Sequence, residues 1–500
     1  MNVSEQKMKN MKTKKINFTI LLMIVISLAT QVLSLAKSSI LAEAFGIGSD
    51  MDAFNLANNI AVFIFDFIAV GISTIIIPEY ANKRNNKAVD TFITIIYGTV
   101  LALIFLIVAL RKPVISLLGG SCETVIATTE YILIVLLFAK YIQSVSNVTV
   151  AYFQCEGKYN LPKIFVLISN AAVIVSLLLI EKIEIVQYTL IFAGGLLLNF
   201  FMDFLAARKM GWTYRPTLKI NEEAEQLLRR FFPIVISTGV YRMSLLIDTI
   251  IASSLGTGKL SVISYSTQIA GIVDTVIVGN LVTYLYPKIA KRIEEKGYQH
   301  QFWMDTSTLH AIVCLISAGF FTVGYEGIAL LFQRGAFHED ATRMVFIGTG
   351  IYLVGYQPRT IRALLSRYFY ACKNTKIPSM TSIVENITNI VVSLSLVRII
   401  GFYGIIIGTV ISSMVALGLT LFFFKKEFGF DENPKNVIGR YIISVLIGLF
   451  SVLLVYMTKR LFVISNDLLS FSIFGAETVV IYLVFSMLLN KKTLLNLKKL

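Results

Sequence analysis

Apolar residues in this 500-residue chain fall in unbroken blocks rather than alternating or one-sided stripes. Phe92 to Leu110, Ile132 to Ala139 with its flanks, and Ile164 to Ile180 approach the ~20 residues that cross a bilayer. The blocks predict fourteen helices. The first seven are 16–45, 52–79, 89–110, 124–153, 162–181, 187–207 and 225–254. The other seven are 260–288, 303–325, 340–371, 378–397, 402–424, 438–458 and 468–489. Polar segments between them are short, and the longest, Arg208 to Arg230, is a connecting loop. The expected fold is an all-α polytopic membrane protein with about 14 transmembrane helices.

The blocks come in two related sets about 210 residues apart. Ile24 to Ser27 (IVIS), AFG, Asp66 to Gly71 (DFIAVG) and Pro78 have counterparts in Ile234 to Ser237 (IVIS), SLG, Asp274 to Gly279 (DTVIVG) and Pro287. Tyr152-Phe153 precedes Pro162 by the spacing at which Tyr368-Phe369 precedes Pro378, and Asn170 and Asn386 each follow that proline by eight. One six-helix bundle has been duplicated, with both copies starting in the same direction, so the repeats are related by an axis along the membrane normal. This predicts a segment 1–15, an N-lobe 16–210, a linker 211–224, a C-lobe 225–426, and two extra helices with a tail over 427–500. Duplicated bundles of this kind work as transporters that rock around a central site. Pro162 and Pro378 stand in first turns, where a missing N–H costs nothing; Pro358 lies inside a helix and should kink it.

Composition agrees: 56% of residues are hydrophobic and only 15% charged, where a soluble chain carries about a quarter. The net charge of +15 follows the positive-inside rule rather than implying a nucleic-acid partner. With the N-terminus in the cytoplasm, about 30 Lys/Arg fall on cytoplasmic segments and about 8 on outer loops, which also puts the C-terminus inside. The basic start and following apolar stretch run past Lys37, too far for a cleaved signal peptide. Four scattered cysteines and three scattered histidines support neither a metal site nor a disulfide framework. No phosphate-binding glycine loop is present, so uphill transport would need an ion gradient, the membrane potential or substrate flow.

Ionisable groups inside spans are costly and mark function by default. Here they are Lys37, Asp66, Lys140, Arg242, Asp248, Asp274, Arg359 and Arg362. Asp66 and Asp274 are repeat equivalents, and Lys37, Arg242 and Asp248 lie on the first helices of the two lobes. One reading is a wet, net basic cleft for an amphiphile with a phosphate-bearing head. The other is that these groups pair as interhelical glue. Lys140 reads as a lysine snorkelling to the interface, and Arg359, Arg362 and Arg367 form a basic stripe that is either a head-group contact or ordinary anchoring.

The chain resembles the MurJ (MviN) lipid II flippases of the multidrug/oligosaccharidyl-lipid/polysaccharide exporter superfamily. The resemblance is carried by AEAFGIGSDMDAF (Ala42 to Phe54), LLIDTIIASSLGTGKLSVISYS (Leu245 to Ser266) with TYLYPKIAK, and LLFQRGAF (Leu330 to Phe337). SRYFYACKNTKIP (Ser366 to Pro378) and GFYGIIIGTVIS (Gly401 to Ser412) extend it through all twelve repeat helices. It implies export of an undecaprenyl-diphosphate-linked glycan across the bacterial cytoplasmic membrane by alternating access, by a monomer that is not an enzyme. The candidate central-cavity residues are Lys37, Asp66, Arg242, Asp274, Arg359 and Arg362, read from their charge inside spans, together with Asp52 and Gln268, which the resemblance aligns with family positions. Among these, Asp52 matches the aspartate of the family's DAF motif, and Lys37 replaces a functional arginine. Asp248 matches an acidic position linked to sodium binding in some members, with Asn389, Ser393 and Thr409 filling the rest of that pocket. No other cofactor is implied.

The chain also departs from the family. Gln31 and Gln268 stand where the family has arginines, and the second helix carries Asp66 in place of an arginine pair. With that loss of positive charge, a capsule or exopolysaccharide repeat-unit flippase remains an alternative to lipid II, and a cation-coupled multidrug exporter is a more distant one. A membrane-embedded transferase would need a polar catalytic loop or an acidic or histidine cluster, and neither is present.

Overall fold

The computed structural model describes residues 3–82, 87–118, 123–293, 295, 297–431 and 433–496. Helices cover the segments expected from sequence over their described residues, arranged in two compact units, 1–44 with 48–258 and 45–47 with 259–500. Eleven are both long and apolar enough to cross a membrane over their described residues.

Unit 1 opens with α1 (Val3–Phe45), α2 (Ser49–Asn82), α3 (Lys87–Ala109) and a short α4 (Arg111–Leu118). It continues with α5 (Glu123–Ser144), α6 (Ser146–Cys155), α7 (Asn160–Leu178), α8 (Ile185–Lys209) and α9 (Glu222–Ser254). The helix expected from 16 thus starts at Val3, and the single helix expected over 124–153 is two. Its break has a local cause: the Ser144 hydroxyl donates to Tyr141 O at 2.6 Å, so the next amide, Val145 N–H, turns to Ile142 O at 3.2 Å. A serine competing for backbone carbonyls bends a helix in this way. Ser144 O is satisfied by the Tyr97 hydroxyl at 2.6 Å.

The seventh long helix, assigned by sequence to the second repeat, packs on α2 and α3 and belongs to unit 1. The division between compact units therefore falls after Gly258, not in the linker 211–224. Repeat membership is a property of sequence, whereas the compact unit follows from which apolar faces meet. Asn221 starts α9 by accepting Ala224 N–H at 2.9 Å, ahead of three glutamates in the first turn.

Unit 2 begins with α10 (Lys259–Ile272), a π-helical turn (Val273–Val278) and α11 (Gly279–Arg292). Then come α12 (Tyr298–Phe332), α13 (Glu339–Ala371), α14 (Lys376–Ile400) and α15 (Tyr403–Phe428). The chain ends in α16 (Pro434–Leu461), α17 (Asp467–Leu489) and α18 (Lys491–Asn496). The π turn interrupts what the pattern reads as one helix over 260–288, and Asp274 lies in it. Such turns concentrate at functional sites. α13 runs on through Pro358.

The extra C-terminal pair is pinned to α12 at several depths. Lys459 pairs with Glu326, which also accepts from Ser470 Oγ. Thr322 and Thr478 share a hydrogen bond at 2.8 Å, and the Tyr482 hydroxyl donates to Ala311 O at 2.9 Å. At the other end of α12, Asn496 Nδ2 donates to Asp305 Oδ1 at 2.9 Å and to Thr308 Oγ1 at 3.1 Å.

The repeat persists in detail. Asn170 Nδ2 donates to Val166 O at 2.9 Å and Asn386 Nδ2 to Ser382 O at 2.8 Å, both one turn back. Phe153 and Phe369 are both fully buried. Each of the helices they end is closed by an amide reaching back five residues, Lys158 to Phe153 O and Asn374 to Phe369 O. The left-handed residue of that cap is Gly157 in the first repeat, at φ +69°, but Lys373 in the second, at φ +61°. Gly46 is required for two reasons: its φ is +55°, and a Cβ there would lie 2.2 Å from Ala336 O.

Candidate functional site

In unit 1, Lys37 of α1 sits with its ammonium 4.9 Å from the centroid of the Phe192 ring on α8. Lys140 of α5 approaches the same ring at 6.0 Å. Both lysines are half-buried. Lys140 therefore does not snorkel to an interface. It is thirteen residues into the 28-residue span Thr128–Cys155, because the break at Val145 does not end the apolar stretch. Two ammonium groups at one ring make this wall an anion-attracting surface, held partly by the ring's negative face. The sequence set Lys140 aside as a snorkelling residue because its partner, Phe192, is distant in sequence.

Arg242 and Asp248 lie half-buried on α9, with the Arg242 guanidinium 5.2 Å from the Tyr241 ring. Asp66 is in the helical stretch of α2, but its side chain lies outside the described residues. Asp52 departs from the cavity expectation. It is 5% exposed, and its carboxylate accepts the Gly258 N–H in the turn after α9. Below it, Asn59 Nδ2 donates to Thr249 Oγ1 at 3.2 Å, a second polar tie between α2 and α9. Asp52 thus joins the first turn of α2 to the 256–258 turn, and no part of that geometry needs a ligand.

In unit 2, Asp274 and Arg359 face each other at 4.0 Å with side chains 39% and 44% exposed. Asp274 lies within the candidate membrane span Lys259–Val282, and such exposure there fits a charge lining water rather than lipid. Gln268 is part-buried on α10, six residues before Asp274. Arg362 is a correction. Its guanidinium pairs with Glu385 on α14 and donates to Ser382 Oγ at 2.7 Å, leaving 11% of the side chain exposed. It is interhelical glue, not an open anion site. Glu385, not among the ionisable candidates taken from sequence, is its counter-charge. Arg367 stacks near Tyr286 and Tyr370 at 5.4 and 5.8 Å.

Of the four residues expected to hold sodium, three come together. Asn389 Nδ2 donates to Thr409 Oγ1 at 3.0 Å, and Ser393 Oγ donates to Ile405 O at 3.5 Å. Gly408 lets α14 and α15 approach closely, since a Cβ there would meet Ser393 Oγ at 2.3 Å. These are neutral oxygens, and the one charge, Asp248, belongs to unit 1. Among the described residues, no group of three or more His, Cys, Asp or Glu side chains forms a metal cluster.

Among curated relatives, the probable lipid II flippase MurJ of Thermotoga maritima is 26% identical over 400 residues, covering 77% of this chain and 80% of that protein. A Helicobacter pylori counterpart of the same description is 22% identical over 435 residues, covering 79% and 93%. Among solved structures, a lipid II flippase MurJ in an inward closed conformation superposes with TM-score 0.82 at 21% identity, covering 94% of this chain and 100% of that one. An inward-facing multidrug MATE transporter shares the fold at TM-score 0.65 and 14% identity, covering 81% and 97%. The family model described as lipid II flippase MurJ matches residues 41–473, and the chain belongs to that family.

Proposed function

We propose that this chain moves an undecaprenyl-diphosphate-linked glycan precursor, lipid II, across the bacterial cytoplasmic membrane for cell-wall synthesis, with both termini in the cytoplasm. The observation that carries this reading is the pair of lysines, Lys37 and Lys140, gathered at Phe192 at membrane depth. A diphosphate head brings negative charge into a region where water is scarce, and two ammonium groups set against low-dielectric walls offset its desolvation. A carrier of cationic drugs would be repelled by the same pair. Arg359 and Asp274 supply a second, mixed-charge surface suited to a sugar and its amide or carboxylate substituents. The lysines also replace positive charge that Gln31 and Gln268 do not provide.

The mechanism that fits is alternating access of the two repeats, with the lipid tail remaining in the bilayer while the head traverses the polar path. The oxygens of Asn389, Ser393 and Thr409 are the proposed sodium pocket of unit 2, and Asp248 of α9 is separately proposed to make transport depend on sodium. The test is rescue of a strain depleted of its own lipid II flippase, with labelled precursor followed to the outer leaflet. Rescue by the wild-type chain and its loss in Lys37→Gln with normal membrane levels are expected. Failure of the well-expressed wild type to deliver precursor would remove lipid II as the cargo.

A further inference from the structure

A second polar site lies inside unit 1, away from the lysine pair. Asp203 and Asn199 are one helical turn apart on α8, and Ser146 opens α6, which packs on α8. The three are 1%, 5% and 3% exposed. Ser146 Oγ lies beside the Asp203 carboxyl without hydrogen-bond alignment. Asp203 Oδ1, Asn199 Nδ2 and Ser146 Oγ are all buried with no hydrogen-bond partner among the described residues. Three unsatisfied polar atoms on adjoining helices are far from the rule that buried polar groups are bonded.

A buried carboxylate in a membrane span needs a counter-charge. Among the described residues, the basic groups on the surrounding helices have other partners or are exposed. Lys140 on α5 approaches Phe192, and Glu130 on the same helix pairs with Arg111. Lys163 on α7 donates to Ser27 Oγ at 3.1 Å. On α6, the Tyr152 hydroxyl donates to Met210 O at 2.8 Å and Cys155 Sγ donates to Ile77 O at 3.3 Å. Tyr80 of α2 accepts from Trp212 Nε1 at 3.0 Å, and Glu79 of that helix is itself acidic. At the end of α8, Arg208 stacks 5.5 Å from Phe204, and Lys209 is exposed. The start of α6 after the break adds only a fraction of a positive charge.

We propose that Asp203, Asn199 and Ser146 form a monovalent-cation site within unit 1, in which a proton or a sodium ion neutralises the Asp203 carboxylate. The donor set suits either ion. A proton on Asp203 donates to the amide oxygen of Asn199, and sodium takes the carboxylate, that amide oxygen after a flip of the Asn199 amide, and the Ser146 hydroxyl. Broken helices beside a buried acid are where membrane transporters hold coupling ions. The site shares no residue with Asp248, Asn389, Ser393 or Thr409.

The full-length protein in lipid nanodiscs tests this with two readouts that do not involve transport, so the outcome is independent of the flippase assignment. Bound radiolabelled sodium is counted for wild type, Asp248→Asn and Asp203→Asn at alkaline pH. Infrared spectra at neutral pH monitor the C=O stretch of a protonated buried carboxyl. A sodium site predicts one ion fewer in Asp203→Asn than in wild type, with any loss in Asp248→Asn separate and additive. A proton site predicts no change in sodium but a carboxyl band that vanishes in Asp203→Asn. If the sodium count and the band are both unchanged, the site does not exist. Should Asp203→Asn fail to fold, Asn199→Ala and Ser146→Ala are read instead. A loss of about tenfold in sodium affinity or a shifted carboxyl band supports the site, and wild-type values in both overturn it.

Discussion

Arg362 and Glu385 offer the sharpest separation of glue from cargo site. The guanidinium is 11% exposed and the carboxylate 22%, and Ser382 takes a further guanidinium hydrogen. Glu385→Leu removes the counter-charge and leaves a cation buried between α13 and α14. Breaking one side of a buried pair costs about 3–5 kcal/mol, whereas replacing both sides with apolar residues of similar volume is near neutral. Arg362→Met should therefore destabilise by leaving Glu385 unpaired, and Arg362→Met with Glu385→Leu should recover most of the loss. The coupling in that cycle is expected at about 3 kcal/mol or more. Heating detergent-solubilised protein and measuring the surviving monodisperse fraction reads this as a shift of several degrees in each single variant. Flippase rescue should follow stability, with the double variant active. The reasoning is refuted if the double variant is as unstable as the summed singles. It is equally refuted if the double variant is stable and abundant but inactive, because Arg362 would then be touching cargo.

Other outcomes are as direct. Lys140→Gln should impair precursor delivery as Lys37→Gln does, at unchanged membrane levels; full activity in Lys140→Gln would leave Lys37 alone at the ring. Asp52→Ala should lose a charge-assisted bond to Gly258 N–H, about 1.5–3 kcal/mol, and lower abundance and melting temperature; a fully stable but inactive variant would return Asp52 to the cargo path. Lys373→Gly should stabilise by about 1 kcal/mol, since an L-residue in the left-handed region costs about 1–2 kcal/mol and glycine's extra chain entropy offsets part of the gain; an unchanged or lower melting temperature would contradict it. Asp248→Asn should abolish the sodium dependence of transport, and an unaltered response would remove Asp248 from coupling.

Much of the architecture was legible because lipid imposes a simple grammar. Every backbone group must be bonded within its own segment, so uninterrupted apolar blocks are helices, and their lengths report the bilayer. The duplication was visible for a similar reason: caps and prolines recur where each copy must stop and start. The Lys158 and Asn374 closures and the Asn170 and Asn386 bonds bear this out. Less legible were the interruptions. The break at Val145 needs no proline or glycine, only Ser144 and Tyr97 competing for carbonyls, and Tyr97 is on another helix.

The site was read as a set of charges, and charge at membrane depth is indeed a sequence property. By itself the sequence determined which helices bear the buried acids and bases, that they recur between repeats, and which family they belong to. Only the tertiary structure decided what each one meets. Arg362 is bound to Glu385, Asp52 to a backbone amide, and Lys140 is drawn to the ring that Lys37 also uses. The physical reason is that the energy of an ion in a bilayer depends on what lies within a few ångströms, and those neighbours come from helices far apart in the chain.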